Sequence, residues 1–139
     1  MNKWDQRMLD LVELVATWSK DPGTKVGAAI VDQHNRVVSL GFNGFPRGVL
    51  DSLEFDREEK LRRTIHAEEN AILFASRPVA GCTLYVTHHP CARCAAKAIQ
   101  VGIKRIVVHA STEPLSDKWA AELMSARAML HTSGIEVVV

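Results

Sequence analysis

A three-layer α/β fold is predicted, a five-stranded mixed sheet flanked by helices in a single domain spanning residues 1–139. Three observations predict it. An amphipathic helical stripe comes first, with Trp4, Met8, Leu11, Val15 and Trp18 at spacings of 4, 3, 4 and 3. Short β-branched runs then alternate with helix-like segments, the pattern of helices layered on a sheet. Finally, 139 residues, 47% hydrophobic and 24% charged, suffice for one buried core of ordinary globular composition.

The stripe of the first helix makes both tryptophans core anchors, and Asp21-Pro22-Gly23 supplies the turn signals that end it. Val26–Val31 and Arg36–Leu40 read as strands joined by the polar turn Asp32-Gln33-His34-Asn35, a hairpin. Gly41 to Gly48 contains three glycines and a proline, so it is a shaped loop. Taken alone, it is an ordinary surface turn.

Asp51 to Arg63 carries nine charged residues in thirteen. Glu58–Arg62 and Glu59–Arg63 are spaced i,i+4 with the acid first, as on a solvated helix. His66 opens a second apolar run, Ala67 to Ala75. Thr83–Thr87 is a strand leading directly to Pro90, and Arg105–His109 is another. A helix over Trp119–His131 and a last strand over Ile135–Val139 complete the order, with crossover helices joining the later strands.

Composition excludes several function classes. Seventeen basic against sixteen acidic residues, a net charge of +1, give no general nucleic-acid or membrane surface. No apolar run approaches the ~20 residues of a membrane span, and Met1-Asn2-Lys3-Trp4-Asp5 does not begin a secretory signal. Three cysteines are an odd count and two stand in a ligand-like pair, which argues against disulfides and for a reducing cytoplasm. Cys82 reads as a small buried core residue.

The chemistry concentrates in His66-Ala67-Glu68 and, twenty-five positions on, Pro90-Cys91-Ala92-Arg93-Cys94. Cys91 and Cys94 are three apart, so on a helix both thiolates leave one face about a turn apart. Pro90 suits the start of that helix, and a helix N-terminus favours thiolate over thiol. His66 can meet those sulfurs from a second helix start. Three protein ligands leave one tetrahedral position open, the pattern of catalytic zinc; a structural zinc knot would close with four. A neutral imidazole and two thiolates roughly cancel the charge of Zn²⁺, so a nearby base is needed to handle protons. Glu68, about 200° round the helix from His66, is the candidate for that base and need not bind the metal itself.

These motifs carry a resemblance. His66-Ala67-Glu68-Glu69-Asn70-Ala71 with Thr87-His88-His89-Pro90-Cys91-Ala92-Arg93-Cys94 resembles the cytidine deaminase superfamily, whose nucleobase deaminases share the same His-x-Glu and Pro-Cys-x-x-Cys signature. The loop Gly41-Phe42-Asn43-Gly44-Phe45-Pro46-Arg47-Gly48 resembles that of deoxycytidylate deaminases. The likeness runs from about Asp21 to near the C-terminus.

The resemblance implies a cytidine-deaminase-like fold, one catalytic zinc per chain, and hydrolysis of dCMP to dUMP and ammonia, feeding dTTP synthesis. It implies that Glu68 shuttles protons, that Asn43 bonds the deoxyribose hydroxyl, and that backbone near Ala67 and Cys91 meets the base edge. Lys25, before the first strand, and Arg93, in the zinc helix, are the candidates for the phosphate. Ser116-Asp117-Lys118-Trp119 resembles a segment whose tyrosine closes over substrate; Trp119 keeps a stacking face without the phenol hydroxyl. Related deaminases are often hexamers activated by dCTP and inhibited by dTTP. Gly44, Phe45, Arg47 and Gly48 suit such a second nucleotide site, with Arg62 and Arg63 as further donors across a subunit boundary. Relatives can hold a second, structural zinc after this loop, but no Cys or His lies between Asp51 and Ile65. His88 and His89 depart from the family pattern and are expected to be structural or pocket-wall residues.

Two rival readings stand beside this one. One is an enzyme editing tRNA or single-stranded DNA, which would want a basic, aromatic-studded face. The other is a non-enzymatic zinc module, in which Glu68 would have no purpose.

Overall fold

The computed structural model describes residues 1–109 and 117–139. The elements run α1 (Lys3–Ala16), β1 (Gly27–Val31), β2 (Val37–Phe42), α2 (Arg57–Arg63), α3 (Ala67–Leu73), β3 (Thr83–Val86), α4 (Ala92–Gln100), β4 (Arg105–Val108), α5 (Asp117–Ser133) and β5 (Glu136–Val138). The five strands form one sheet in the order β2-β1-β3-β4-β5. β1 is antiparallel to both β2 and β3, while β3, β4 and β5 are parallel. The mixed sheet follows from the connections. A polar turn joins β1 to β2, whereas α4 and α5 are the crossovers that parallel pairing requires.

The alternation of side chains along the strands sorts the core into two halves. On one face Ile30, Leu84, Val86, Ile106 and Val108 pack with Ala67, Ala71, Ala95, Ala98, Ala126 and Leu130 from α3, α4 and α5. On the other, Ala29, Val31, Tyr85 and Val107 meet Met8, Leu9 and Val12 of α1. Those are the three layers expected, and Cys82 lies in the first core as a buried residue.

Two glycines set the interlayer distance. A Cβ on Gly27 would stand 2.1 Å from the Val12 carbonyl oxygen of α1, and one on Gly41 would stand 2.2 Å from the Ala67 carbonyl oxygen of α3. Only a residue without a side chain admits so close a backbone approach. The second contact seats α3 on β2; the Asn70 amide, donating to the Phe42 carbonyl oxygen at 2.8 Å, ties the same elements together.

The expected face of α1 is corrected. Its buried residues are Asp5, Met8, Leu9, Val12, Val15 and Ala16, and Trp4 and Trp18 are 37% and 49% exposed. Neither tryptophan is a core anchor. The helix ends at Ala16, capped by Thr17, before the Asp21-Pro22-Gly23 turn, so Trp18 lies beyond it and meets Phe42 edge-on. Trp4 instead lies under the Arg7 guanidinium.

Asp5 takes the buried place. Its carboxylate accepts two hydrogen bonds of 2.7 Å from Arg105 and one of 2.8 Å from the Tyr85 hydroxyl, joining α1 to β4 and β3. With Asn2 it also forms the capping box that starts α1. Arg105 above all, with Tyr85 and the Asn2 N–H, holds the Asp5 carboxyl well below the usual carboxylate range against the opposing effect of burial. Asp5→Asn is expected to cost about 3–5 kcal/mol, because it removes the shielded carboxylate from Arg105 and leaves that charge to the exposed Glu136 carboxylate 3.6 Å away. A thermal melt should show Tm lower by about 10 °C or more. The sign with pH follows. A depressed native pKa contributes stability that is full above the unfolded value of about 3.9 and is lost as pH falls through the native one. Acidifying below about pH 4 should therefore destabilise the unmutated chain more steeply than the variant.

The charged segment behaves as expected. α2 buries no residue, and both anticipated pairs form, Glu58–Arg62 at 2.9 Å and Glu59–Arg63 at 2.8 Å.

Candidate active site

Two helix starts converge above the sheet. β3 delivers the chain through Thr87-His88-His89-Pro90 to Cys91, which caps α4, with Cys94 in the first turn. His66 caps α3 after an isolated bridge between Ile65 and Gly44 fixes its approach. The His66 Nδ1 atom lies 3.2 Å from Cys94 Sγ and 3.5 Å from Cys91 Sγ, and the three ligand atoms lie within 4.8 Å of one another. A tetrahedral zinc ion, with bonds of about 2.3 Å to sulfur and 2.0–2.1 Å to nitrogen, sets N and S about 3.5 Å apart. The donor set and its spacing fit zinc. It is the metal-ligand group found among the described residues.

Both sulfurs lie at a helix N-terminus, where free N–H groups favour anionic ligands. The Cys94 thiol, bonded to Cys91, and His66 hold Cys91 down at about 4 although burial opposes them. The same hydrogen bond, with burial, pushes Cys94 up. His66 is raised, first by its hydrogen bond to Cys91.

Glu68, the second residue of α3, is 4% exposed. Burial pushes its carboxyl up to about 7, which suits a group that must both take and give a proton near neutrality. Burial disfavours the charged form of this carboxyl. Its pairing with an open metal triad marks a hydrolytic site.

The sequence profile of the cytidine and deoxycytidylate deaminase zinc-binding region matches residues 2–110. The chain belongs to this deaminase family. An uncharacterized deaminase of Aliivibrio fischeri is 49% identical over 138 residues, covering 99% of this chain and 93% of that one. The deoxycytidylate deaminase of Homo sapiens is 35% identical over 143 residues, covering 96% and 77%. The dCMP deaminase of cyanophage S-TIM5, solved in complex with dCMP and dUMP, superposes with a TM-score of 0.82 at 25% identity, covering 99% and 97%. The protein is therefore a zinc-dependent deaminase, a hydrolase with the fold read from its sequence.

Not every anticipated deaminase residue lies with the metal group. Asn43 is buried, and its amide is engaged: Oδ1 accepts from the Val26 N–H at 2.9 Å, and Nδ2 donates to the Thr24 carbonyl at 2.9 Å and to Asp21 at 3.4 Å. Ala67 is fully buried beside Glu68. Lys25 is exposed just before β1, and Trp119 is half-buried in the first turn of α5. Ser116, the start of the anticipated closing segment, lies outside the described residues.

Arg93, Arg62 and Arg63 instead line one cleft of about 550 Å³, together with Lys97, Glu69 and Pro46; Lys25 does not line it. Beside it Phe45 stacks on Phe55, Arg63 covers Phe55, and the exposed Arg47 covers Phe74. Gly48 turns the loop with a φ of 79°, whereas Gly44 pairs with Ile65. His88 and His89 lie outside the metal-ligand group. The His89 Nδ1–H donates to the Pro90 carbonyl at 2.9 Å, His88 Nδ1 contacts the Thr87 hydroxyl at 3.0 Å, and burial holds both imidazoles below their ordinary pKa.

Two carboxylates were missed from sequence. Glu122 of α5 accepts from the Ala92 N–H at 3.2 Å, at the start of the zinc helix. Nothing local announces a contact across thirty positions. Glu69 accepts from the His66 N–H at 3.0 Å, and its third place in α3 is the capping-box spacing that could have found it.

Proposed function

We propose that this deaminase converts dCMP and water to dUMP and ammonia. The observation that carries the chemistry is the buried carboxyl of Glu68, which interacts with His66, Cys91 and Cys94. A zinc ion held by those three residues supplies Lewis acidity at an open coordination position. Glu68 takes a proton from the water that adds to C4 of the cytosine ring and passes it to N3. It then takes the second proton to the 4-amino group, the C4–N bond breaks, and ammonia leaves as the C4 carbonyl forms. Closed from solvent, Glu68 keeps these transfers from bulk water. Backbone at Ala67 and Cys91 meets the base edge.

Likeness to deoxycytidylate deaminases over nearly the whole chain supports a deoxynucleoside monophosphate as substrate. Asn43 takes the deoxyribose hydroxyl in exchange for its long 3.4 Å contact to Asp21. Lys25 and Arg93 are the phosphate donors, and Trp119 stacks on the substrate. The near-neutral charge supports a small nucleotide over a polymer, in a cytoplasmic enzyme that assembles as a hexamer. No helix among the described residues is long and apolar enough to cross a membrane.

Regulation by dCTP and dTTP belongs to the same reading. Gly44, Phe45, Arg47 and Gly48 form the effector loop, with Arg62 and Arg63 as phosphate donors. The Gly44–Ile65 bridge carries a loop displacement to the residue before His66. One experiment tests substrate and regulation together. Ammonia release is measured from dCMP, cytidine and cytosine-containing oligonucleotides, then from dCMP with dTTP and dCTP. Turnover of dCMP is expected to dominate. Inhibition by dTTP should be reversed by dCTP, with an effector coupling of about 5- to 150-fold that Arg47→Ala blunts while zinc stays bound. Preference for the oligonucleotide, or indifference to both triphosphates, contradicts the corresponding part.

A further inference from the structure

We propose that Glu69 is a positioning residue that holds the two zinc-ligand helices in register and so governs how firmly the metal is retained, an inference that rests on the zinc-site reading above. Its Oε1 accepts from the backbone N–H of His66 at 3.0 Å and from Arg93 Nη2 at 2.8 Å, and its Oε2 accepts from Lys97 Nζ at 2.7 Å. Arg93 lies between Cys91 and Cys94, and Lys97 one turn beyond. One carboxylate therefore joins the backbone of the α3 ligand to the helix that bears the other two.

A plain helix cap would explain the bond to His66 but not two cations reaching across from α4. The side chain of Glu69 is 13% exposed, whereas Arg93 and Lys97 are about half exposed. The bridge is anchored at the shielded acid. Burial works against its charge, but Lys97, the His66 N–H and Arg93 together hold the carboxyl at about 2. Ala67, Ala71, Ala95 and Ala98 pack α3 and α4 into one core, and the clasp adds a charged tie at the helix starts, where the ligand N–S spacings are 3.2–3.5 Å. Supporting residues of this kind typically command 10- to 100-fold in metal affinity.

The test follows zinc release from the loaded protein into excess chromogenic chelator, with the ligand-field spectrum of the cobalt-substituted protein as a second readout. Glu69→Gln keeps an acceptor for the His66 N–H and loses only the charge, which guards against a variant that simply fails to fold. It is expected to release zinc about 10-fold faster, and Glu69→Ala up to about 100-fold faster, with displaced cobalt bands in both. Lys97→Met should mimic Glu69→Gln and add little to Glu69→Ala, since both act on one clasp. Release within about twofold of the unmutated rate in both Glu69 variants, or full additivity with Lys97→Met, overturns the proposal. If the unmutated chain binds no zinc, the zinc-site reading itself fails, a separate and distinguishable result.

Discussion

Glu68→Gln is expected to keep about one zinc per chain and to lose kcat by roughly 100- to 10,000-fold. The substitution changes two atoms' chemistry and almost no volume. An amide can hydrogen-bond to substrate but cannot accept the proton of the attacking water or carry it to the leaving amine. Metal retention should be untouched, because the ligand atoms are those of His66, Cys91 and Cys94. Stability should hold or rise. Glu68 is 4% exposed and its carboxyl is pushed up by burial, so a neutral group removes a cost that the fold bears for function. Metal analysis, a melt and steady-state kinetics on one preparation check all three. Near-normal turnover, or purification without metal, removes Glu68 from the mechanism.

Cys94→Ser is expected to abolish both zinc retention and turnover, and Cys91→Ser likewise. Serine keeps the size of the side chain but offers no thiolate, and loss of a ligand must exceed the about 100-fold commanded by a residue that merely supports one. The controls are specific. Cys82→Ser alters a cysteine buried in the same core cluster as Val79 and Leu84, and His88→Asn alters an imidazole in contact with the Thr87 hydroxyl. Both should retain about one zinc, since neither residue belongs to the ligand group. Two zincs per unmutated chain would contradict the single-site account.

What was legible in the sequence is what short-range geometry controls. Cys91 and Cys94 face one way because three residues span nearly one helical turn, and Pro90 marks where that turn begins. His66 and Glu68 diverge for the same reason, one as helix cap and one inside the turn. The strands were legible as β-branched runs, and their edges moved by only a residue or two. Long-range pairings were not legible. Asp5 is buried because Arg105, 100 positions away, neutralises it and Tyr85, 80 positions away, satisfies it. A stripe drawn from hydrophobicity alone therefore chose Trp4 over its charged neighbour. Trp18 continued the periodicity past the true end of α1, where Thr17 caps the helix by donating to the Leu14 carbonyl. Arg93 was read as a candidate phosphate donor in the zinc helix; its meeting with Glu69, Lys97, Arg62 and Arg63 was not legible, because it depends on how α2, α3 and α4 pack.

The most direct measurement is product analysis after incubating the zinc-loaded protein with dCMP in heavy-oxygen water. The account predicts dUMP carrying one heavy oxygen, at C4, with one ammonia released per product and neither formed by Glu68→Gln above its residual rate. Unchanged dCMP from a fully zinc-loaded, folded chain, or ammonia from another nucleobase alone, would contradict it.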